Sequence, residues 1–246
     1  MQSPRTESPP DEATGNSVAE EQLNRLLETI VVQPAQHVRW LNTLALLEFM
    51  GTRKIARSLA QRRADRTALQ HLAEEARHAY FFKRSIERIQ PDADPGFAAS
   101  ETLAGFSAAR YFHRLDSFVS RDLTRYFAQT HPDSQSSSAV STRANSAVQT
   151  ELCYLYVTTL IEERAGWLYP AYDAVLAARE IPIRLGGVIL EEEQHLADMY
   201  AVVRELDSDC EARLAGYRRF EAEAFANFFT RLNAAVEVAS YSASTR

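Results

Sequence analysis

One stretch constrains the fold of this chain more than any other: residues 184 to 206, RLGGVILEEEQHLADMYAVVREL. Its apolar side chains recur every three or four residues, which predicts a helix with one inward face. Glu192 and His195 interrupt that face, and their spacing of three places them one turn apart on the same side. An acid and an imidazole turned toward a core need compensation, and a bound metal ion provides it.

The stretch 68 to 89, ALQHLAEEARHAYFFKRSIERI, repeats this arrangement with Glu75 and His78. Glutamate is common in this chain, so a single Glu-x-x-His motif is weak evidence for a metal site. The combination is stronger, because both motifs fall on the inward faces of predicted helices. The sequence therefore predicts two helices that each contribute a Glu and a His to one site.

A glutamate on the preceding helix accompanies each motif. Glu48 is the single acid on the inward stripe of a long helix predicted at 34 to 63. Before the second motif the candidates are Glu162 and Glu163, and neighbours on a helix point about 100° apart, so only one can face the interior. Small neighbouring residues favour Glu162 as the ligand, whereas the apolar stripe through Trp167 favours Glu163. We prefer Glu162 and keep Glu163 as the alternative.

Charge explains why such a set of side chains would bind metal. Four carboxylates in one core would repel each other and cost several kcal/mol each if they were left unpaired. Two divalent cations cancel the four charges while both histidines stay neutral. A site rich in oxygen ligands, with two imidazoles and no thiolate, favours iron or manganese over zinc or copper. We expect two iron ions, Fe2+ or Fe3+, with manganese as the alternative.

In chain order, the set Glu48, Glu75–His78, Glu162 and Glu192–His195 resembles that of the ferritin-like di-iron carboxylate proteins. That superfamily includes rubrerythrins, aldehyde-deformylating oxygenases and ribonucleotide reductase small subunits. The resemblance covers residues 34 to 206. It implies an all-α fold: a ferritin-like four-helix bundle with an extra crossover helix, within 91 to 146, and a C-terminal helix. It also implies O₂ or peroxide chemistry at two iron ions.

Three further residues near the predicted site carry narrower predictions. Some relatives in this superfamily have a tyrosine seven residues after the glutamate, and Tyr169 has this spacing from Glu162, so we expect it to hydrogen-bond close to the metals. Asp198 follows His195 by three residues; it either holds the second imidazole nitrogen or is a surface acid. We expect His71, one turn before Glu75, to be a core histidine rather than a seventh ligand.

Composition bounds the remaining possibilities. Among 246 residues, only 8 Gly and 9 Pro favour long helices, and a net charge of −6 offers no basic surface for nucleic acid. No apolar run reaches membrane-spanning length and no signal region is evident, so we expect a cytoplasmic protein with no membrane partner. Cys153 and Cys210 form no C-x-x-C pair.

We expect a disordered tail at 1–17, a single ferritin-like helical domain at 18–236 and a second tail at 237–246.

These features favour a di-iron, or iron–manganese, oxidase or oxygenase as the function. Its partners would be O₂ and a small, mostly apolar organic substrate, with an electron donor as a further candidate, and it would act as a monomer or homodimer. The alternative is a ferritin-like protein for iron oxidation, iron storage or peroxide scavenging. A helical interaction protein without activity is the third hypothesis, and the inward-facing Glu and His residues oppose it.

Overall fold

The computed structural model describes residues 12–62, 64–130 and 139–244, and within these ranges it contains helices and no strand. The prediction of an all-α protein is confirmed for this part of the chain. The helices are α1 (Glu12–Val31), α2 (Pro34–Leu59), α3 (Arg66–Ile86), α4 (Gly105–Thr130), α5 (Ala139–Ala178), α6 (Gly186–Leu206) and α7 (Cys210–Ser244).

Several helices are longer than the sequence predicted. Helix α1 begins at Glu12, inside the expected tail, and α5 begins at Ala139, inside the crossover segment expected at 91 to 146. Helix α7 continues to Ser244, past the expected end at 236. None of the added segments contains a proline, so each can extend the neighbouring helix without a break. The remaining parts of the predicted tails and loop, 1–11, 131–138 and 245–246, lie outside the described residues.

Two helical hairpins form the centre of the bundle. Helix α2 packs mainly against α3, and α5 packs mainly against α6. Pro34 occupies the first turn of α2, where its missing N–H removes no helical hydrogen bond. Asp65 caps α3, because its carboxylate accepts a hydrogen bond from the backbone N–H of Ala68 at 2.8 Å. Aspartate is among the residues preferred at this capping position.

The other three helices cover the hairpins. Helix α4 lies on the connection between α3 and α5 and packs against α2, α5 and α7, while α1 packs against α2 and α5. Both cysteines, Cys153 and Cys210, are buried and free. Among the described helices, none combines the length and the apolarity that crossing a membrane requires.

The buried side chains form two apolar clusters, and the predicted ligands lie between them along the helices. On α2, Ala45 belongs to the first cluster and Met50 to the second, with Glu48 between them. On α6, Glu192 likewise separates Val188 of the first cluster from Met199 of the second. The polar residues therefore form a layer across the middle of the core.

Candidate metal centre

Two groups of buried ligand-type side chains meet in this polar layer. Within each group, one potential ligand atom per residue lies within 4.8 Å of the others. Four helices contribute these side chains: α2, α3, α5 and α6. We call them group A, which contains Glu48, Glu75, His78 and Glu192, and group B, which contains His71, Glu75, Glu162 and His195. Glu75 belongs to both groups, so the two positions adjoin.

The structure brings all six preferred ligands of the sequence prediction into these groups, and all six are buried. It does not bring Glu163 there. That carboxylate lies beside the site, where it accepts hydrogen bonds from Arg218 at 2.7 Å and from the Tyr200 hydroxyl. Of the two neighbouring glutamates on α5, therefore, only Glu162 is placed where it could hold a metal ion.

Several buried polar atoms of this layer have no hydrogen-bond partner. Nδ1 of His78, Nδ1 of His195, both carboxylate oxygens of Glu162 and Oε2 of Glu192 are all in this state. Nδ1 of His78, for example, lies 2.9 Å from Oε1 of Glu192, but the angles between the two groups are not those of a hydrogen bond. A buried polar atom without a partner costs about 1–3 kcal/mol. Cations held between these lone pairs would remove that cost, so the residues fit a pair of metal ions.

Glutamates of the opposite helix hold the outer nitrogens of two histidines. Nε2 of His78, on α3, lies 2.7 Å from Oε2 of Glu191 on α6, and Nε2 of His195, on α6, lies 2.7 Å from Oε2 of Glu74 on α3. A carboxylate can only accept, so each Nε2 carries the proton and each Nδ1 offers its lone pair to the site. This is the outer support that metal-bound histidines need.

These two supporting glutamates were not predicted from the sequence. Of the two alternatives for Asp198, a partner of His195 or a surface acid, the structure shows the second, because its carboxylate accepts a hydrogen bond from Gln194 Nε2 at 2.9 Å on the exposed side of α6. A signal was present, since a glutamate immediately precedes each ligand glutamate in the sequence E-E-x-x-H. The pairing itself depends on how α3 and α6 face each other, which a single helix does not reveal.

His71 is a further member of the site that the sequence analysis placed in the core. Its side chain is buried, with Nε2 lying 3.2 Å from Oε1 of Glu75 and 3.0 Å from Oε1 of Glu162. Its other nitrogen, Nδ1, lies 2.8 Å from the Tyr154 hydroxyl. His71 precedes Glu75 by four residues, one helical turn, and this spacing was the available signal.

Two details on α2 and α5 shape the carboxylate side of the site. Tyr169 donates a hydrogen bond to Oε1 of Glu48, not to Glu162, from which its spacing was counted.

Gly51, one turn after Glu48, leaves room for Glu75, because a Cβ at this position would lie 2.6 Å from Oε2 of that residue. A glycine inside a helix is unfavourable, so this close approach gives the residue a physical reason.

Without metal, the carboxyl groups of this layer have very different pKa values. Burial and the charges of neighbouring glutamates raise the pKa of Glu48 well above its ordinary 4.5. Burial also raises the pKa of Glu162 to about 8, although the nearby imidazole of His71 opposes the rise. For Glu192, burial favours a higher pKa, but the facing imidazoles of His195 and His78 outweigh it and lower the pKa to about 2. The metal-free site therefore keeps some carboxyl groups protonated.

The histidines of group B take up protons under the same conditions. Burial disfavours the charged form of His71, but the facing carboxylates of Glu162 and Glu75 outweigh it and raise the pKa to about 12. For His195, burial is likewise outweighed by the facing carboxylate of Glu192, and the pKa rises to about 9. Metal ions bind neutral imidazole and ionised carboxylate, so metal binding must release these protons.

Two cavities reach the site from different directions. One, of about 50 Å³, touches all four buried carboxylates and is otherwise lined mainly by apolar side chains of α2, α4, α5 and α7, such as Leu44, Phe112, Leu168 and Phe228. The other, of about 430 Å³, reaches His71 and His195 and carries an excess of acids, namely Asp65, Glu74, Glu151, Glu191 and Asp198, against one cation, Arg62.

Comparisons with protein-family models, with curated proteins and with solved structures yield no significant match to this chain. Any functional assignment therefore depends on the residues and geometry described above.

Proposed function

We propose that this protein is a ferritin-like di-metal oxidase or oxygenase that uses O₂ to oxidise a small, mostly apolar organic substrate. The observation that carries the proposal is the pair of four-residue groups, buried and joined through Glu75. Two iron ions, or one iron and one manganese, would occupy the two positions. When bound, such ions supply the electrons and the Lewis acidity that O₂ activation requires.

The side chains have distinct tasks in this proposal. Glu48, His78 and Glu192 would hold one ion, Glu162 and His195 would hold the other, and Glu75 would serve both. Glu191 and Glu74 keep the two imidazoles in the tautomer that presents Nδ1 to the metal. The Tyr169 hydroxyl holds a proton at Oε1 of Glu48, where it can follow a change of charge on that carboxylate.

The apolar cavity supports the choice of substrate. It reaches the carboxylate side of the site, and its volume of about 50 Å³ exceeds the ~10–15 Å³ that one water molecule requires. The apolar walls exclude water from the reacting atoms, and besides the proposed ligands they include a single charged side chain. The one cation among the lining residues, Arg164, is neutralised by Glu221 through hydrogen bonds of 2.9 and 2.7 Å.

The proposal is tested by loading the protein with Fe(II) without air, adding O₂, and following both O₂ consumption and the oxidation of a panel of small apolar molecules. Ala165 lines the apolar cavity, and Ala165→Phe would fill it while leaving every proposed ligand in place. We expect this variant to oxidise its bound iron but to lose turnover of the organic molecule. Wild-type protein that consumes O₂ without oxidising any member of the panel argues against an oxygenase.

A ferroxidase or iron-handling function is the second candidate, and the acidic cavity favours it. The cavity has five acids among its lining residues against one arginine, and this excess of negative charge attracts cations, so it could guide Fe²⁺ toward His71 and His195. Such a protein would turn over many Fe²⁺ ions per chain with no organic substrate present. Charge-removing variants at the cavity mouth, such as Asp198→Asn, would then slow iron oxidation, whereas filling the apolar cavity would not.

A further inference from the structure

The two proposed metal positions differ in their ligands. Group A offers three carboxylates and one imidazole, whereas group B offers two carboxylates and two imidazoles. The difference arises from His71, which has no counterpart on the other motif helix. The residue four positions before Glu192 is the buried, apolar Val188. The repeated motif therefore has a histidine at this position on α3 alone.

The surroundings of His71 are those of a metal ligand. Its Nε2 faces Glu162 and Glu75 at 3.0 and 3.2 Å, and its ring centroid lies 4.2 Å from that of His195. Two imidazoles this close would repel if both were protonated, whereas two neutral imidazoles can share a cation. The Tyr154 hydroxyl, 2.8 Å from Nδ1, fixes the ring from the other side. Metal-bound histidines are usually held in this way.

We infer that His71 is a seventh ligand, and that it makes the two positions select different metals when iron and manganese are both present. This inference rests on the proposed function, since it requires two bound ions. Imidazole suits iron better than manganese, while carboxylates suit manganese, and a given site binds Fe²⁺ more tightly than Mn²⁺. The two effects combine at group B, which should take iron. Group A, with a single imidazole, discriminates less and should accept manganese.

Charge points in the same direction. If Glu75 is counted as shared, group A has two carboxylates of its own and group B has one. An ion at group B therefore keeps more of its positive charge than an ion at group A. Because carboxylates suit manganese, the larger share of carboxylates at group A again favours manganese there.

The test begins with wild-type protein reconstituted without air in equal amounts of Fe²⁺ and Mn²⁺. Anomalous scattering at the iron and manganese absorption edges of its crystals then locates each metal. We expect iron bonded to Nε2 of His71 and manganese concentrated at group A. Two bound metals with neither bonded to His71 would overturn the inference and leave the proposed function standing. Wild-type protein that binds no metal would overturn the proposed function itself.

A variant provides an independent measurement. His71→Gln keeps a polar side chain of similar length but removes the imidazole, and the exposed His113, replaced by Gln, is the matched control. We expect His71→Gln to weaken Fe²⁺ binding at one of the two positions by at least about tenfold and to abolish the iron preference. The control should keep both. A folded His71→Gln protein with two wild-type affinities and an unchanged iron-to-manganese ratio contradicts the inference.

Discussion

Glu191 lies 2.7 Å from Nε2 of His78, across the interface between α6 and α3, and Arg77 binds the same carboxylate oxygen at 2.7 Å. The carboxylate thus fixes the ring of a proposed ligand without facing the metal. Supporting residues of this kind typically contribute 10–100-fold to metal affinity. We expect Glu191→Ala to weaken Fe²⁺ binding by about that factor.

The measurement is competition for Fe²⁺ against a coloured chelator in the absence of air. Glu193→Ala is the control, because Glu193 lies two residues along α6 from Glu191 and is exposed. Equal affinities for the two variants would show that the hydrogen bond to His78 does not serve metal binding.

Gly51 permits a second prediction, which separates an effect on metal affinity from an effect on folding stability. In Gly51→Ala the new methyl group would lie 2.6 Å from Oε2 of Glu75 and would displace this shared carboxylate. The flexible end of a side chain can move away, so the helix should fold, and alanine favours a helix interior by about 0.5–1 kcal/mol. We expect lower metal affinity with no loss of metal-free stability.

Gly166→Ala is the matched control, since a Cβ there meets no atom within 4 Å. It should raise the melting temperature slightly and leave metal binding unchanged. A Gly51→Ala protein that binds two metal ions as tightly as wild type would show that the space beside Glu75 is not needed.

The neighbouring glutamates of α5 provide a third prediction. Glu162 is buried in group B with both oxygens unpartnered, whereas Glu163 is paired with Arg218 outside it. We expect Glu162→Ala to lose metal or O₂ reactivity and Glu163→Ala to keep both. Elemental analysis and the rate of Fe(II) oxidation measure this difference. The reverse pattern would assign the ligand to Glu163, and two normal variants would remove α5 from the site.

A fourth prediction concerns the pH dependence of the metal-free protein. The pKa of His195 rises from 6.5 to about 9 on folding, so its stabilisation is complete below 6.5 and is lost as the pH rises through 9. Glu162, whose pKa rises from 4.5 to about 8, also makes folding less favourable as the pH rises between these values. Both residues therefore predict lower stability in alkali.

Urea unfolding of the metal-free protein at about pH 5.5 and pH 9 tests this prediction. We expect the smaller free energy of unfolding at pH 9. The metal-loaded protein should show a larger gain from metal at pH 9 than at pH 5.5, since fewer protons compete for the ligands. Metal-free protein that is more stable at the higher pH would contradict the assignment of these charges to the site.

Much of this arrangement could be predicted from local patterns. The helical period located α2, α3 and α6 to within several residues, and the interruptions of the apolar faces by Glu48, Glu75 and Glu192 marked the residues that meet in the core. These are properties of single helices. The cap by Asp65 is equally local, because the carboxylate and the backbone N–H of Ala68 that it binds are only three residues apart.

The contacts between side chains of different helices could not be predicted in this way. The pairing of Glu74 with His195 depends on the way in which α3 faces α6, and no spacing within one helix encodes it. His71 was read as a core residue, because burial alone does not distinguish a histidine bonded to a tyrosine from one aimed at carboxylates. Nδ1 of His71 lies beside the Tyr154 hydroxyl and Nε2 lies beside the Glu162 carboxylate. Both of these partners belong to another helix, α5.

The central claim is that the two buried groups hold a pair of metal ions, and one measurement tests it most directly. The full chain is reconstituted with Fe(II) without air, freed of loosely bound ions and analysed for metal per chain. We predict two ions per chain, because two groups of ligands share Glu75 and leave five buried atoms without partners. Less than about half an ion per chain would contradict the account.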